Sequence, residues 1–379
     1  MGYTVGEKIL LAHAPGAKSI APGDFIMAKV DFCFGNDITA PIAIQEFKKL
    51  GKKKVFNQKR IALIPDHFLP AKDMRSANQA AVLKKFAKEY GIVNYFEIGE
   101  MGVEHALLPE RGLILPGDLV VGADSHTCTH GALGAFTTGV GSTDLAYAMA
   151  TGQCWFKVPE TIKLVFKGRT RKWVCGKDLI LHAIGDLGVA GARYKSLEIT
   201  GDTIDQLPMD DRFTMCNMAI EAGAKNGIIC ADKTTESYVK KAVRKYKQQR
   251  KAYKVYKSDE DAVYADVREY NTSKLEPVVA SPHLPSNALP ISELKNIKIN
   301  QAVIGSCTNG RISDLKQAAA VLKNRKVDPN TRLIIIPATQ AIYKEAVQEG
   351  YAETFIKAGA VFLYPKLRPV LGWAYGHFV

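Results

Sequence analysis

The sequence predicts an α/β fold with mainly parallel sheets, and three observations indicate it. Apolar, strand-like runs alternate with amphipathic helical stretches along most of the 379 residues, as in parallel strands joined by crossover helices. Hydrophobic residues make up 47% and charged residues 23% of the chain, which is ordinary for a globular protein. Polar segments follow several strand-like runs, where α/β proteins bind ligands.

The elements fall into three blocks. In residues 1–160, the strands KRIALIPDH, VNYFEIG and DLVVGADSH alternate with helices such as AKDMRSANQAAVLKKFAKEYG. Residues 161–275 contain the strand TIKLVFKG and the helices KDLILHAIGDLG and FTMCNMAIEAGAK, and the proline-rich stretch 276–290 is typical of a linker. Residues 291–379 contain NQAVIGSC and RLIIIPA, which we expect to be buried strands, around the helix RISDLKQAAAVLKNR. We therefore expect three α/β domains.

Charge and cysteine content limit the class of protein. The formal net charge is +13, and part of it lies in residues 239–257, VKKAVRKYKQQRKAYKVYK, where we expect a helix followed by a strand. Since no recognised nucleic-acid module accompanies this segment, a solvated face is favoured over a patch for nucleic acid or an acidic partner. The seven cysteines form no C-x-x-C pair, and no apolar run approaches the roughly 18 residues that span a bilayer. We expect a cytoplasmic protein without a membrane anchor.

The first polar cluster follows the strand in IALIPDHFLP. Asp66 and His67 stand at its end. A carboxylate beside an imidazole holds its tautomer and raises its pKa, which suits the histidine to donate a proton to a leaving group. Such a pair is also common as a purely structural feature, and the residues alone leave both interpretations open.

The second cluster lies in DLVVGADSHTCTHGALGAFTTGVGSTDLA. Asp124, Ser125 and His126 follow a strand that ends near Gly122, and a glycine- and threonine-rich turn then leads into a helix. Such a helix start offers amide donors to an anion. The segment HTCTH has a spacing that is unusual for zinc, and no companion ligand pair accompanies it. A dinucleotide site is disfavoured because no G-x-G-x-x-G opens a helix here.

The third cluster is QAVIGSCTNGRISDL. Cys307 follows a strand in a glycine-rich turn before a helix. This amide-rich setting favours a thiolate, which suits a nucleophile or a metal ligand. A lone cysteine is more often an inert, small apolar residue.

Together and in this order, the three clusters resemble the aconitase superfamily, and within it the large subunits of 3-isopropylmalate dehydratase, homoaconitase and 2,3-dimethylmalate dehydratase. The similarity covers residues 4–362, and its most specific motifs are GADSHTCTHGALGAFTTGVGSTDLA and GSCTNGRISDL, with NDITAPIAIQEF and PHLPSN as further segments. The resemblance implies an aconitase-type fold of three α/β/α domains around a cluster site. It also implies a hydro-lyase that isomerises an anionic malate-type substrate, 2-isopropylmalate to 3-isopropylmalate in leucine biosynthesis or a close analogue.

The resemblance also implies a role for each candidate residue. Asp66 and His67 would protonate the departing hydroxyl, and Ser125 would contact the substrate. Asp124 and His126 would orient water bound to iron. Glu198 of KSLEITG would donate or accept a hydrogen bond with the iron-bound oxygen. Nothing in the chain resembles the swivelling fourth domain of aconitases, so a separate small subunit is the expected partner.

The expected cofactor is a 4Fe-4S cluster held by three cysteines, with one iron left open as a Lewis acid. Cys307 matches the first ligand, but no cysteine follows it in the sequence, and the other two ligand positions correspond to Leu367 and Val370. With codons chosen where the genetic code is degenerate, the tail from Leu367 can be back-translated so that a frame starting one base later encodes Cys-Gly-Pro-Cys-Leu-Gly-Gly-His-Met-Gly-Ile-Leu. We interpret the tail after Pro365 as out of frame and expect the chain as given to be inactive. A cluster-free protein that binds RNA is the alternative of another class.

Overall fold

A computed structural model describes residues 2–248 and 252–367. The chain divides into two compact units: unit 1 comprises residues 1–33 and 109–295, and unit 2 comprises residues 34–108 and 296–379. Both units are therefore assembled from two separate stretches of sequence. Within the described ranges, no helix is long and apolar enough to cross a membrane.

The described residues contain the following α-helices and β-strands. The helices are α1 (Val5–His13), α2 (Ala40–Lys49), α3 (Met74–Tyr90), α4 (Glu104–Glu110), α5 (Ser142–Thr151), α6 (Gly176–Leu187), α7 (Asp202–Gln206), α8 (Met209–Asn217), α9 (Lys233–Lys245), α10 (Ile312–Leu322), α11 (Gln340–Gln348) and α12 (Tyr351–Ala358). The strands are β1 (Phe25–Lys29), β2 (Phe32–Asn36), β3 (Ile61–Ile64), β4 (Asn94–Tyr95), β5 (Leu119–Gly122), β6 (Phe136–Gly139), β7 (Gln153–Lys157), β8 (Thr161–Lys167), β9 (Ser196–Thr200), β10 (Asn226–Ile228), β11 (Asp266–Asn271), β12 (Val278–Ala280), β13 (Ala288–Pro290), β14 (Gln301–Ile304), β15 (Arg332–Ile335) and β16 (Val361–Phe362). Short 3₁₀ helices span Ser125–Leu133, Met218–Ala222, Thr272–Lys274 and Ile291–Glu293.

Unit 1 contains a four-stranded parallel sheet in the order β10-β9-β8-β11. The strands β5 and β6 also pair in parallel, and Gly122 at the end of β5 aligns with Gly139 at the end of β6. The polar segments that follow these two strands therefore emerge at the same edge. Two antiparallel ribbons, β1 with β7 and β12 with β13, complete the strand pairs of this unit that the structure describes.

Unit 2 contains the parallel sheet β14-β15-β16, and the strands β3 and β4 also pair in parallel. Helices α10, α11 and α12 pack against one another beside the three-stranded sheet. A buried apolar cluster fills the space between them, including Leu315, Ile335, Phe355 and Leu367, and Cys307 packs against it. The cysteine thus lies at the edge of a hydrophobic core.

The predicted alternation of helices and mainly parallel strands is confirmed. The helix predicted in AKDMRSANQAAVLKKFAKEYG is α3, whose first turn is capped by the Asp73 carboxylate and whose end is marked by Gly91 in the left-handed region. The predicted helices around α6 and α10 are also present. The stretch FTMCNMAIEAGAK is not one helix, since α8 ends at Asn217 and a 3₁₀ turn follows.

Two expectations about strands are wrong. The basic helix is present as α9, but residues 252–257 form no strand; they pass directly over Gly117, where an added Cβ would lie 2.2 Å from the Lys254 carbonyl oxygen. The strand before Cys307 is not buried, because β14 is an edge strand of its sheet and Val303 is 44% exposed. Edge strands are covered on fewer sides than central strands.

Candidate active-site residues in two units

The Asp66–His67 pair forms the centre of a buried polar cluster in unit 2. The Asp66 carboxylate oxygen lies 2.7 Å from His67 Nδ1, and both side chains are buried. The second Asp66 oxygen accepts a hydrogen bond of 2.8 Å from the Glu104 backbone N–H. The carboxylate therefore holds the imidazole by its Nδ1 atom, and Nε2 is the other ring nitrogen that can carry a proton.

Asp37 belongs to the same cluster and was not predicted from the sequence. Its two carboxylate oxygens accept hydrogen bonds from the backbone N–H groups of His67, at 3.0 Å, and Phe68, at 2.8 Å. Burial and the neighbouring Asp66 carboxylate raise the pKa of Asp37 to about 6, against the lowering effect of His67 and the two amides. The position of His67 is thus set by two carboxylates, one on its ring and one on its backbone.

Asp37, Asp66 and His67 carry potential metal-ligand atoms that lie within 4.8 Å of one another. Their oxygen and nitrogen atoms are of the types that bind divalent cations. The carboxylate oxygens, however, already accept the hydrogen bonds described above. This group is therefore explained as a hydrogen-bonded cluster that orients His67.

Cys307 lies in a tight turn between β14 and α10. Gly305 and Gly310 both have positive φ values, 132° and 88°, and an added Cβ at either position would lie within 2.6 Å of the Ile336 carbonyl oxygen. Only glycine tolerates this backbone and this close approach. The turn places Cys307 Sγ 3.5 Å from Thr308 Oγ1 at the half-buried surface of unit 2.

The segment around Leu367, the second expected ligand position for the 4Fe-4S cluster, lies beside Asp66. The Leu367 backbone N–H donates a 2.8 Å hydrogen bond to the Asp66 carbonyl oxygen, and the Leu367 side chain is buried in the same apolar cluster that Cys307 contacts. The position is thus occupied by a leucine close to both predicted sites of unit 2. Val370 lies outside the described residues.

In unit 1, the second predicted cluster is brought together by a 3₁₀ helix. Asp124 precedes this helix, and its carboxylate accepts a 2.8 Å hydrogen bond from the His126 backbone N–H. His126 Nδ1 lies 3.3 Å from Ser125 Oγ, and Nε2 lies 3.3 Å from a carboxylate oxygen of Glu221. Both ring nitrogens therefore face polar groups, and Glu221 is a contact that the sequence did not reveal.

The segment HTCTH is not arranged as a zinc site. Cys128 is buried, and its Sγ donates a 3.3 Å hydrogen bond to the Asn217 carbonyl oxygen. Burial raises the pKa of the Cys128 thiol to about 12, so the metal-binding thiolate is disfavoured. Of the groups of described residues that could hold a metal, none contains Cys128 or His130.

Glu198 lies on β9 in unit 1, and its side chain bonds to residues other than those around His126. Its carboxylate accepts a 2.7 Å bond from Ser258 Oγ and a 3.1 Å bond from Tyr264 Oη. Burial raises the pKa of Glu198, and these two hydrogen bonds act in the opposite direction. The predicted role of Glu198 toward bound oxygen stays a prediction.

A cavity of about 370 Å³ opens in unit 1 beside Asp124 and Ser125. Its lining includes residues of the segments that follow β5 and β6. Gly139, the last residue of β6, packs closely on Asp124, since an added Cβ would lie 2.6 Å from the Asp124 carbonyl oxygen. Lys225 lines its wall together with apolar side chains. Asp37, Glu104, Glu221 and Lys225 were all missed, and only the position of Asp37 in NDITAPIAIQEF gave a signal in the sequence.

The model of the family described as "Aconitase family (aconitate hydratase)" matches residues 7–296 and 291–372 of the chain. Two matches that together cover nearly all residues decide the family. The chain belongs to the aconitase family.

Family members with high similarity carry a more specific name. A 3-isopropylmalate dehydratase large subunit from Thermodesulfovibrio yellowstonii is 62% identical over 372 residues, which cover 98% of this chain and 87% of that protein. The protein of the same name from Moorella thermoacetica is 59% identical over the same share of both chains. The structure of Thermococcus kodakaraensis aconitase X in its holo-form matches with a TM-score of 0.53 and 13% identity, covering 97% of this chain and 86% of that chain, and supports the fold.

Aconitase family members typically bind a 4Fe-4S cluster, and the thiols of this chain do not fit such a group. Cys307 is the single cysteine in the sequence of unit 2, and the other six all belong to unit 1. The group of possible metal ligands within unit 2 around His67 contains no sulfur. Leu367, whose side chain has no ligand atom, stands at the second expected ligand position.

Proposed function

We propose that the chain is the large subunit of a 3-isopropylmalate dehydratase, a hydro-lyase that converts 2-isopropylmalate to 3-isopropylmalate by removing and re-adding water. The observation that carries the proposal is the identity of about 60% to proteins of this name over 98% of the chain. A homoaconitase or a 2,3-dimethylmalate dehydratase large subunit is the closest alternative. A cytoplasmic location and leucine biosynthesis follow as part of the same proposal.

His67 is the proposed proton donor to the hydroxyl that leaves the substrate. Asp66 holds His67 Nδ1 at 2.7 Å, so Nε2 carries the transferable proton once the ring is charged. Asp37 fixes the backbone beside it. In unit 1, Asp124 and His126 would orient the water that leaves and returns, and Ser125 would contact a substrate carboxylate.

A separate small subunit is the proposed partner. The relatives are named as large subunits, and that name implies a small subunit. We infer that this partner completes the substrate site. The partner would also contribute to the choice among isopropylmalate, homocitrate and dimethylmalate, whose shared malate portion gives this chain little by which to distinguish them.

The test uses the frame-restored chain, in which the residues after Pro365 are translated in the shifted frame. This chain is expressed with the small subunit and supplied with iron and sulfide, and the interconversion of 2- and 3-isopropylmalate is followed by chromatography. Turnover of isopropylmalate that exceeds turnover of homocitrate and dimethylmalate supports the proposal. A restored, fully loaded complex that acts only on another malate would contradict the assigned substrate.

We further propose that the chain as given is inactive. It lacks two of the thiolates that the restored reading contains, and position 367 holds a buried leucine. The assay described above, applied to the chain as given, should yield no turnover. Tight, salt-sensitive RNA binding by the same chain would instead favour the alternative in which a cluster-free relative binds RNA.

A further inference from the structure

The outer face of the ribbon formed by β1 and β7 in unit 1 is apolar and exposed to solvent. Side chains alternate between the two faces of a strand, and the buried side chains of the ribbon, such as Ala28 and Phe156, belong to its inner face. On the outer face, Phe25 is 72% exposed, Trp155 is 50% exposed and Met27 is 43% exposed. Apolar side chains that are exposed as a group mark an interaction surface, unlike single exposed ones.

The three exposed side chains form one ordered patch. Met27 stands directly opposite Trp155 in the antiparallel register, and the stacked rings of Phe25 and Trp155 have their centres 6.0 Å apart. The Trp155 indole N–H donates a 3.3 Å hydrogen bond to the Asp144 carboxylate, which holds the ring in place. Aromatic residues and methionine are enriched in interface cores, and side chains that are already ordered lose less entropy on binding. The patch therefore suits the core of a protein–protein interface.

The polar residues of this outer face carry positive charge or none. Lys157 stands opposite Phe25, and Lys29 stands opposite Gln153 at the other end of the ribbon. Both lysines are exposed, and neither forms an ion pair with the residues that the structure describes. A two-fold contact between copies of this chain would pair the face with itself, and the face offers no carboxylate to either lysine. It therefore fits a different chain, whose apolar centre is flanked by carboxylates.

The outer face of the ribbon borders the cavity that Asp124 and Ser125 line. Trp155 and Phe156 of β7 are both part of the cavity wall. Because half of Trp155 is exposed, its ring stands at the solvent rim of the cavity and belongs to the apolar patch as well. A protein bound to the ribbon would thus stand beside the candidate site, as is expected of a partner that completes this site.

We propose that the outer face of the ribbon, with Phe25, Met27 and Trp155 at its centre, is the docking surface for the small subunit. The inference rests on the proposed function for the identity of the partner. The matching surface of the small subunit would be apolar at its centre and would present carboxylates to Lys29 and Lys157. Binding of the small subunit would cover the part of the cavity rim that Trp155 forms.

The docking surface is tested by binding, without cofactor or turnover. The small subunit from the same source is titrated into the purified chain as it exists, and calorimetry gives the Kd. Trp155→Glu should weaken binding by about 30-fold or more, because a few central aromatic side chains provide most of the affinity of an interface. Trp173→Glu is the matched control, since Trp173 is 56% exposed in unit 1 outside the ribbon, and its Kd should stay within about twofold.

Further variants keep the test decisive if Trp155→Glu disturbs folding. Phe25→Ser changes the most exposed ring of the patch and should weaken binding by about tenfold. A double change of Lys29→Glu and Lys157→Glu should slow association by about tenfold at low salt, because exposed interface charges act mainly on the association rate. Lys240→Glu, at an exposed position of α9, controls for a change in net charge.

The outcomes separate this inference from the proposed function. Absence of small-subunit binding by the parent chain, or equal affinity of the parent, Trp155→Glu and Phe25→Ser chains, would overturn the docking surface, and turnover by the frame-restored complex would still support the function. Self-association, or binding to vesicles of phosphatidylcholine and phosphatidylglycerol, that depends on Trp155 while small-subunit affinity does not would also overturn it. Trp155-dependent binding without isopropylmalate turnover in the restored complex would retain the surface and contradict the function.

Discussion

At the scale of single residues, His67 is held from two directions. Asp66 contacts its ring nitrogen, and Asp37 accepts a hydrogen bond from its backbone N–H. A histidine whose Nδ1 is held by a carboxylate presents Nε2 with a defined protonation state. The proposed role of His67 as an acid therefore depends on contacts that exist only in the folded chain.

The role of His67 is tested in the frame-restored complex. We expect His67→Ala to reduce kcat by on the order of 100-fold or more while the visible absorbance of the cluster is retained, because a positioned general acid contributes about 10²–10⁴-fold. His13→Ala is the matched control, since His13 also pairs with an aspartate, Asp31 at 2.6 Å, outside the proposed site. Equal turnover of the His67→Ala and parent enzymes would remove His67 from the mechanism.

Asp37 gives unit 2 a pH-dependent stability. Its pKa rises from an ordinary value of 3.8 to about 6 on folding, so the folded chain retains this proton over a pH range in which the unfolded chain has lost it. The contribution favours folding at low pH and is lost as pH rises from about 4 to 6, by on the order of 3 kcal/mol. Urea unfolding of the parent and Asp37→Asn chains at pH 4, 5 and 6 measures it. The stability difference between them should shift in favour of Asp37→Asn as pH rises, and a constant difference would contradict the assignment.

At the scale of elements, helix α9 is anchored at its start by a buried arginine. The Asp232 carboxylate caps the Thr235 N–H at 2.9 Å and accepts a 2.8 Å bond from Arg212, whose side chain is fully buried. Burial acts to raise the pKa of Asp232, but Arg212 and Thr235 outweigh it and lower the pKa to about 2. This contribution to stability is present above pH 4 and is lost as pH falls toward 2.

The cap of α9 should matter more than an ordinary helix cap. Asp232→Ala removes the partner of a buried guanidinium and should cost roughly 3 kcal/mol of unfolding free energy. Asp73→Ala is the matched control, because Asp73 caps the first turn of α3 by a 2.7 Å bond to the Ser76 N–H without a buried arginine; its expected cost is about 1 kcal/mol. Chemical denaturation measures both, and similar losses in the two variants would contradict the role of Arg212.

At the scale of the whole molecule, the number and position of the cysteine thiols determine whether the expected 4Fe-4S cluster can be bound. Unit 2 has one cysteine in its sequence, Cys307, next to the apolar cluster that includes Leu367. A 4Fe-4S cluster held by three thiolates needs two cysteine ligands in addition to Cys307. The restored reading would provide one of them at position 367, which is anchored to Asp66 through its backbone.

Anaerobic reconstitution with iron and sulfide tests this account. The chain as given should retain no cluster absorbance after desalting, whereas the frame-restored chain should retain a full complement. Cys307→Ser in the restored chain should abolish retention, and Cys175→Ser, at a half-buried cysteine of unit 1, should not. Retention of a full cluster by the Cys307→Ser variant would rule out its role as a ligand.

The sequence by itself determined the fold class, the three polar clusters and the family, because strand periodicity and motifs at strand ends are local properties of the chain. It also determined that the expected thiolates after Cys307 are absent. The tertiary structure alone decided the contacts of Asp37 and Glu104 with the Asp66–His67 pair, of Glu221 with His126, and of Lys225 with the end of β6. The physical reason is that these groups are about 30–100 residues apart in the chain and meet only after the packing of helices and strands has brought their backbones together.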